Sequence, residues 1–132
     1  MSAKVILLAE DNPDDAFIFK IMFGRAKVPH TLNIVQDGQQ AIDWLDGKAG
    51  YDDRERFPLP EILLLDLKMP IRNGFEVLEW VRAQPQFEKL QVIVLSSSDD
   101  NRDVKRAYQL GATNYFVKSA QLQDVIQYLR SS

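Results

Sequence analysis

The 132-residue sequence contains no cysteine. Disulfides, thiolate-bound zinc and thiol redox chemistry are therefore excluded, and a cytoplasmic protein is the simplest expectation. No run approaches the roughly 18 apolar residues of a membrane span, and Met1-Ser2-Ala3-Lys4 leads directly into a short apolar run, so neither export nor membrane insertion is expected. A basic excess is also missing: 16 lysines and arginines stand against 19 acids, for a formal charge of −3. That balance argues against direct nucleic-acid binding and points to protein partners. There are no repeats or low-complexity tracts. The single histidine, His30, sits beside Pro29 in a loop, where a structural role is expected. What is present is 45% hydrophobic content, enough for one globular domain over residues 1–132 that buries roughly 68–70% of its unfolded surface.

Short β-branched apolar runs alternate with longer amphipathic segments, the rhythm of βαβ units. Strands are expected near Val5–Ala9, Leu32–Val35, Ile62–Leu65, Val92–Leu95 and Tyr115–Val117. The first, third and fourth lack alternation, which marks strands buried on both faces of a parallel sheet with helices on either side. Asn12 and Pro13 open the first helix, with Asp14 and Asp15 suited to its dipole and Phe17, Ile18, Ile21 and Met22 as its apolar stripe. Asp37-Gly38 precedes the second helix, which runs toward Gly47. Asn73 and Glu76 make a capping box for the third, ahead of Gln84-Pro85. The fourth starts at Asp100 or Asn101 and ends at Leu110-Gly111, while Leu122, Val125, Ile126 and Leu129 stripe the fifth. The connection Gly47–Pro60 is unusually long and charged; a docking loop and a solvated insertion fit it equally. Phe57 within it is the aromatic best suited to a partner.

Polar residues stand where each of four runs stops: Glu10 and Asp11, Asp66, Ser96, and Lys118. In an open parallel sheet those ends share one edge, where such folds build their sites. Crowded carboxylates call for a divalent cation, and a lysine and a hydroxyl opposite them suit a phosphoryl group. A flavin phosphate would instead need a hydroxyl- and glycine-rich loop after the first strand, where Glu10-Asp11 would repel it. A phosphohydrolase working through an aspartyl-phosphate would want a second acid two residues after the nucleophile, where Lys68 stands.

With these residues in place the chain resembles a receiver domain of a two-component response regulator, over essentially its whole length. Glu10-Asp11 matches the family's acidic pair, and Asp66 its phosphoacceptor, followed by Lys68, Met69-Pro70 and Gly74. Ser96 matches the hydroxyl position, Tyr115 the aromatic switch and Lys118 the lysine ending the fifth strand. The long loop before the third strand, Ser96-Ser97-Ser98 and Lys118-Ser119 look most like single-domain regulators paired with bacterial phytochrome histidine kinases. The resemblance implies a flavodoxin-like (βα)5 doubly wound sheet of strand order 2-1-3-4-5, with no output domain. It implies Mg²⁺ held by Asp11, Asp66 and the backbone carbonyl of Lys68, with Glu10 holding a metal-bound water. It implies phosphoryl transfer from a kinase phosphohistidine to Asp66, with no separate substrate turned over, after which Ser96 engages the phosphoryl group and Tyr115 turns inward. A homodimer or kinase contact is expected on the face formed by the fourth helix, fifth strand and fifth helix, with Arg102, Lys105, Arg106, Gln123, Asp124, Gln127, Tyr128 and Phe116. The other reading of the same resemblance is a phosphorylation-independent pseudo-receiver that only docks partners. Ser119 replaces the family's usual proline; a trans Lys118-Ser119 bond is expected, with the Ser119 hydroxyl capping the last helix.

Overall fold

The computed structural model describes residues 3–132; Met1 and Ser2 lie outside the described residues. Five parallel strands, β1 (Val5–Ala9), β2 (Thr31–Val35), β3 (Ile62–Leu65), β4 (Gln91–Ser96) and β5 (Asn114–Val117), form one sheet of order β2-β1-β3-β4-β5. Between and after them lie α1 (Pro13–Arg25), α2 (Gly38–Asp46), α3 (Gly74–Arg82), a 3₁₀ turn at Pro85–Phe87, α4 (Asn101–Gln109) and α5 (Lys118–Arg130). Each of β1, β3 and β4 presents apolar side chains on both faces. Leu7, Ala9, Leu63, Leu65, Val92 and Val94 pack toward α2, α3 and α4. Their neighbours Ile6, Leu8, Ile62, Leu64, Ile93 and Leu95 pack toward α1 and α5. The absence of alternation in these runs is thus the sequence trace of a two-sided core.

The helix starts follow local chemistry. Asn12 Oδ1 accepts from the backbone N–H groups of Asp14 and Asp15, and Asp37 Oδ1 from that of Gln40. Asn73 and Glu76 exchange both bonds of a capping box. Gly47 closes α2 in the left-handed region, at φ +71°.

One expectation is corrected. In α1 the core side chains are Phe19 and Phe23, four residues apart, while Phe17 is 64% and Ile18 49% exposed. Residues 16–23 of this helix are apolar nearly all round, with Lys20 the one charged side chain among them, so spacing alone does not fix the helix's rotation; the sheet selects the two phenylalanines. The Gly47–Pro60 connection is anchored through a few side chains, while Asp52, Asp53, Glu55 and Arg56 lie exposed. Tyr51 and Phe57 pack with Trp44 of α2 at centroid distances of 4.9–5.2 Å. The Arg54 guanidinium donates to the carbonyls of Trp44, Leu45 and Phe57 at 2.8–3.1 Å, satisfying groups that the end of α2 leaves open. Phe57 is partly buried in this cluster.

Candidate functional site

The strand order places β2 on one side of β1 and β3 on the other, so the chain reverses direction across the sheet between β1 and β3. The crevice at their carboxyl ends is the place where such folds hold ligands. Ala9 pairs with Leu65, so the next residues, Glu10 and Asp66, emerge side by side. Carboxylate oxygens of Glu10, Asp11 and Asp66 lie within 4.8 Å of one another. Glu10 and Asp66 are buried; Asp11 is exposed.

Each buried carboxylate is pinned. Glu10 accepts the Asn12 N–H at 3.1 Å and pairs with the Lys118 ammonium. Asp66 Oδ1 accepts the Lys68 N–H at 3.3 Å, and Oδ2 accepts from Lys118 Nζ at 2.9 Å. The loop after β3 closes tightly over this acid, and a Cβ on Gly74 would stand 2.4 Å from the Asp66 carbonyl oxygen, so only glycine fits there. Burial, reinforced by the Asp66 charge, pushes Glu10 up to about 7 against the lowering effect of Lys118 and the Asn12 N–H. Burial pulls Lys118 down, yet its hydrogen bonds to Glu10 and Asp66 and their charges outweigh it and hold the ammonium above the ordinary lysine value.

Lys118 has a third partner that the sequence reading assigned only to the helix dipole: Asp15 Oδ2, at 3.1 Å. Its place in the first turn of α1, three residues after the Asn12 cap, was the available signal. Asp15, Lys118 and Ser119 line a cavity of about 300 Å³ with Ile18, Phe19 and Leu122, between α1 and α5.

Ser96 ends β4, fully buried, and its Oγ accepts the Ser98 N–H at 3.1 Å. Ser98 is the other residue without an assigned role in the sequence reading. Its hydroxyl donates to Asp103 of α4 at 2.7 Å and accepts the Asp100 N–H at 3.3 Å, while its carbonyl accepts the Tyr115 hydroxyl at 2.8 Å. Tyr115 is accordingly turned inward and buried. The described residues contain no cis peptide bond, so Lys118-Ser119 is trans. The cap at that turn differs from expectation: α5 opens at Lys118, Ser119 provides no cap, and the Gln121 side chain accepts the Val117 N–H at 2.9 Å. Gln121, with φ −126°, breaks the helical path just after this turn. His30 has the structural role expected of it, linking the Lys4 N–H at 3.0 Å to the Ser132 carbonyl at 3.0 Å.

The donor set fits a divalent cation. Three carboxylates converge, two of them buried, and burial with a like charge raises the pKa of one of these, Glu10, an unfavourable state that a cation would relieve. No helix among the described residues is long and apolar enough to cross a membrane.

Comparison with known proteins agrees with this geometry. The family model of the response regulator receiver domain matches residues 6–130. Response regulator Rcp1 of Synechocystis is 33% identical over 127 residues, covering 96% of this chain and 84% of that protein. The crystal structure of the Mn²⁺-bound form of Rcp1 superposes with a TM-score of 0.82 at 33% identity, covering 97% of this chain and 90% of that one. The phosphorylated cyanobacterial phytochrome response regulator RcpA gives 0.84 at 32% identity, covering 98% and 91%.

Proposed function

The chain belongs to the response regulator receiver family of two-component signalling, and on that premise we propose that it takes a phosphoryl group onto Asp66 and passes the signal through a changed protein surface. The observation that carries this reading is Asp66 itself: a buried carboxylate with one oxygen on the Lys118 ammonium, beside Glu10 and Asp11. Asp11 and Asp66 would hold Mg²⁺ directly, Glu10 through a water, and the Lys68 carbonyl would complete the protein's share. When bound, the ion neutralises phosphoryl charge. The relatives' Mn²⁺-bound and phosphorylated forms support the assignment.

In the reaction an Asp66 carboxylate oxygen attacks phosphorus as the N–P bond of a phosphohistidine breaks. The electron pair returns to the imidazole, which takes a proton. Lys118 draws charge from the phosphoryl oxygens, and the Ser96 hydroxyl, whose oxygen accepts from Ser98, keeps its own proton to donate to one of them. Nothing in these steps turns over a separate substrate.

The donor is a sensor histidine kinase, of the phytochrome type by analogy with the relatives. Kinase docking, expected from the sequence on the α4–β5–α5 face, would also find an exposed apolar surface on α1, Phe17, Ile18 and Ile21, which borders the Lys118 cavity. A homodimer through α4, β5 and α5 would use the exposed Lys105 and Tyr108, since Tyr128 is committed to Gln91 at 2.8 Å and to the Phe116 ring.

Acetyl phosphate with Mg²⁺ should add one phosphoryl group by intact mass, and Asp66→Asn should add none, because an amide oxygen is too weak a nucleophile. Equal labelling of the asparagine variant would place the acceptor elsewhere. Asp11→Ala should weaken Mg²⁺ binding and labelling together.

A further inference from the structure

Lys118 is saturated. An ammonium has three protons to donate, and here three carboxylates surround it: Glu10, Asp66 and Asp15. A phosphoryl oxygen arriving at Asp66 can be served only if one of these bonds is given up. The three are not equal. The Glu10 and Asp66 side chains are 3% and 9% exposed, so solvent compensates little when either loses the lysine. Asp15 is 42% exposed, stands outside the Glu10-Asp11-Asp66 cluster, and sits in the first turn of α1, where the helix dipole favours a negative charge even without a partner. Its backbone N–H is already fixed by Asn12 Oδ1, so the residue keeps its place when the lysine leaves.

We propose that Asp15 is a positioning residue that parks Lys118 in the resting state and competes with the incoming phosphoryl group for it, so that the Asp15–Lys118 bond sets how readily an anionic phosphodonor is bound. The inference rests on Asp66 being the acceptor, and it goes beyond that reading by assigning the competitor. Asp15 and Lys118 both line the cavity between α1 and α5, so the bond breaks at an edge that solvent reaches.

The test is the steady-state labelling of the full chain by acetyl phosphate at saturating Mg²⁺, comparing wild type with Asp15→Asn and Asp15→Glu. Asp15→Asn should lower the KM for acetyl phosphate about two- to fivefold, the range of a half-exposed ion pair, with kcat within about twofold. Beryllofluoride, titrated by ¹⁹F NMR, should bind tighter by the same factor. Asp15→Glu should stay near wild type, and the difference should shrink in about 1 M salt, where such pairs are screened. A merely structural role for Asp15 would move the melting temperature and leave KM and beryllofluoride affinity alone, and that result overturns the proposal. So does a raised KM in Asp15→Asn, which would mean that Asp15 holds the lysine in its working position. Failure of wild type to be labelled or to bind beryllofluoride would sink the Asp66 reading itself, separately from any effect of Asp15.

Discussion

Replacing Lys118 by methionine keeps an unbranched side chain one atom shorter and removes the charge that holds Glu10 and Asp66 together. In the metal-free protein this leaves two buried carboxylates, with oxygens inside the 4.8 Å cluster, facing each other and Asp11 without their cation. Breaking a buried ion pair from one side costs about 3–5 kcal/mol. For a chain of this length that corresponds to a fall in melting temperature of roughly 10–18 °C at pH 8. The loss depends on pH, because the strain lies in carboxylate charge: Glu10 already titrates near 7 with the ammonium present, and without it the proton would be held more tightly. At pH 5 the variant should therefore recover at least half of the lost stability relative to wild type. Mg²⁺ at pH 8 should recover part of it too. The assay is thermal unfolding in EDTA at pH 5 and pH 8, and again at pH 8 with excess Mg²⁺. A destabilisation below about 1 kcal/mol at pH 8, or one equally large at pH 5, would refute the account of Lys118 as the counter-ion of a buried acidic pair.

Glu10 makes its own pH prediction: a carboxyl raised from 4.5 to about 7 on folding gives the native state a proton that the unfolded chain lacks, so its contribution is complete below pH 4.5 and is lost as pH rises through 7. Metal-free wild type should lose up to about 3 kcal/mol over that window in urea titrations, and Glu10→Gln should be flatter; identical pH slopes would contradict the assignment. Ser98→Ala removes the hydroxyl shared by Asp103 and the Asp100 N–H, so hydrogen exchange in the first turn of α4 should speed up about tenfold while acetyl phosphate labelling stays within about twofold. Unchanged exchange at that turn would show that Ser98 does not tether α4. Ile71, 74% exposed in the loop after β3, holds φ at +69°, which a β-branched residue adopts only under strain; Ile71→Gly should stabilise the fold by about 0.5–1 kcal/mol in urea unfolding, and a destabilised variant would place the cause of that backbone shape elsewhere.

The strands and most helix caps were legible because each depends on neighbours in sequence. Asn12-Pro13, Asn73 with Glu76 and Asp100 before Asn101 name their own helix starts, and the unalternating runs at Ile62–Leu65 and Val92–Leu95 declare a core on both sides. The convergence of Glu10, Asp11, Asp66 and Lys118 was legible for a related reason: parallel strands bring all their carboxyl ends to one edge. What stayed hidden depends on choices made across the chain. The face that α1 buries is decided by the sheet, since Phe17, Ile18, Phe19, Ile21 and Phe23 offer more apolar positions than one interface uses. The folding of the Gly47–Pro60 loop onto Trp44 depends on Arg54 finding three carbonyls, which no local pattern announces. The third partner of Lys118 lies 103 residues away on another element, and an aspartate in a first helical turn reads as an ordinary dipole residue until the lysine is seen beside it.

The central claim is that Asp66 is the residue that carries phosphate. It is tested most directly by treating the full chain with acetyl phosphate and Mg²⁺, trapping the acyl phosphate with borohydride and mapping the reduced residue by peptide mass spectrometry. The account predicts a single reduced side chain, at position 66, absent when Mg²⁺ is withheld. Trapping at Asp11, Glu10 or any other acid, or no trapped residue at all, would contradict it.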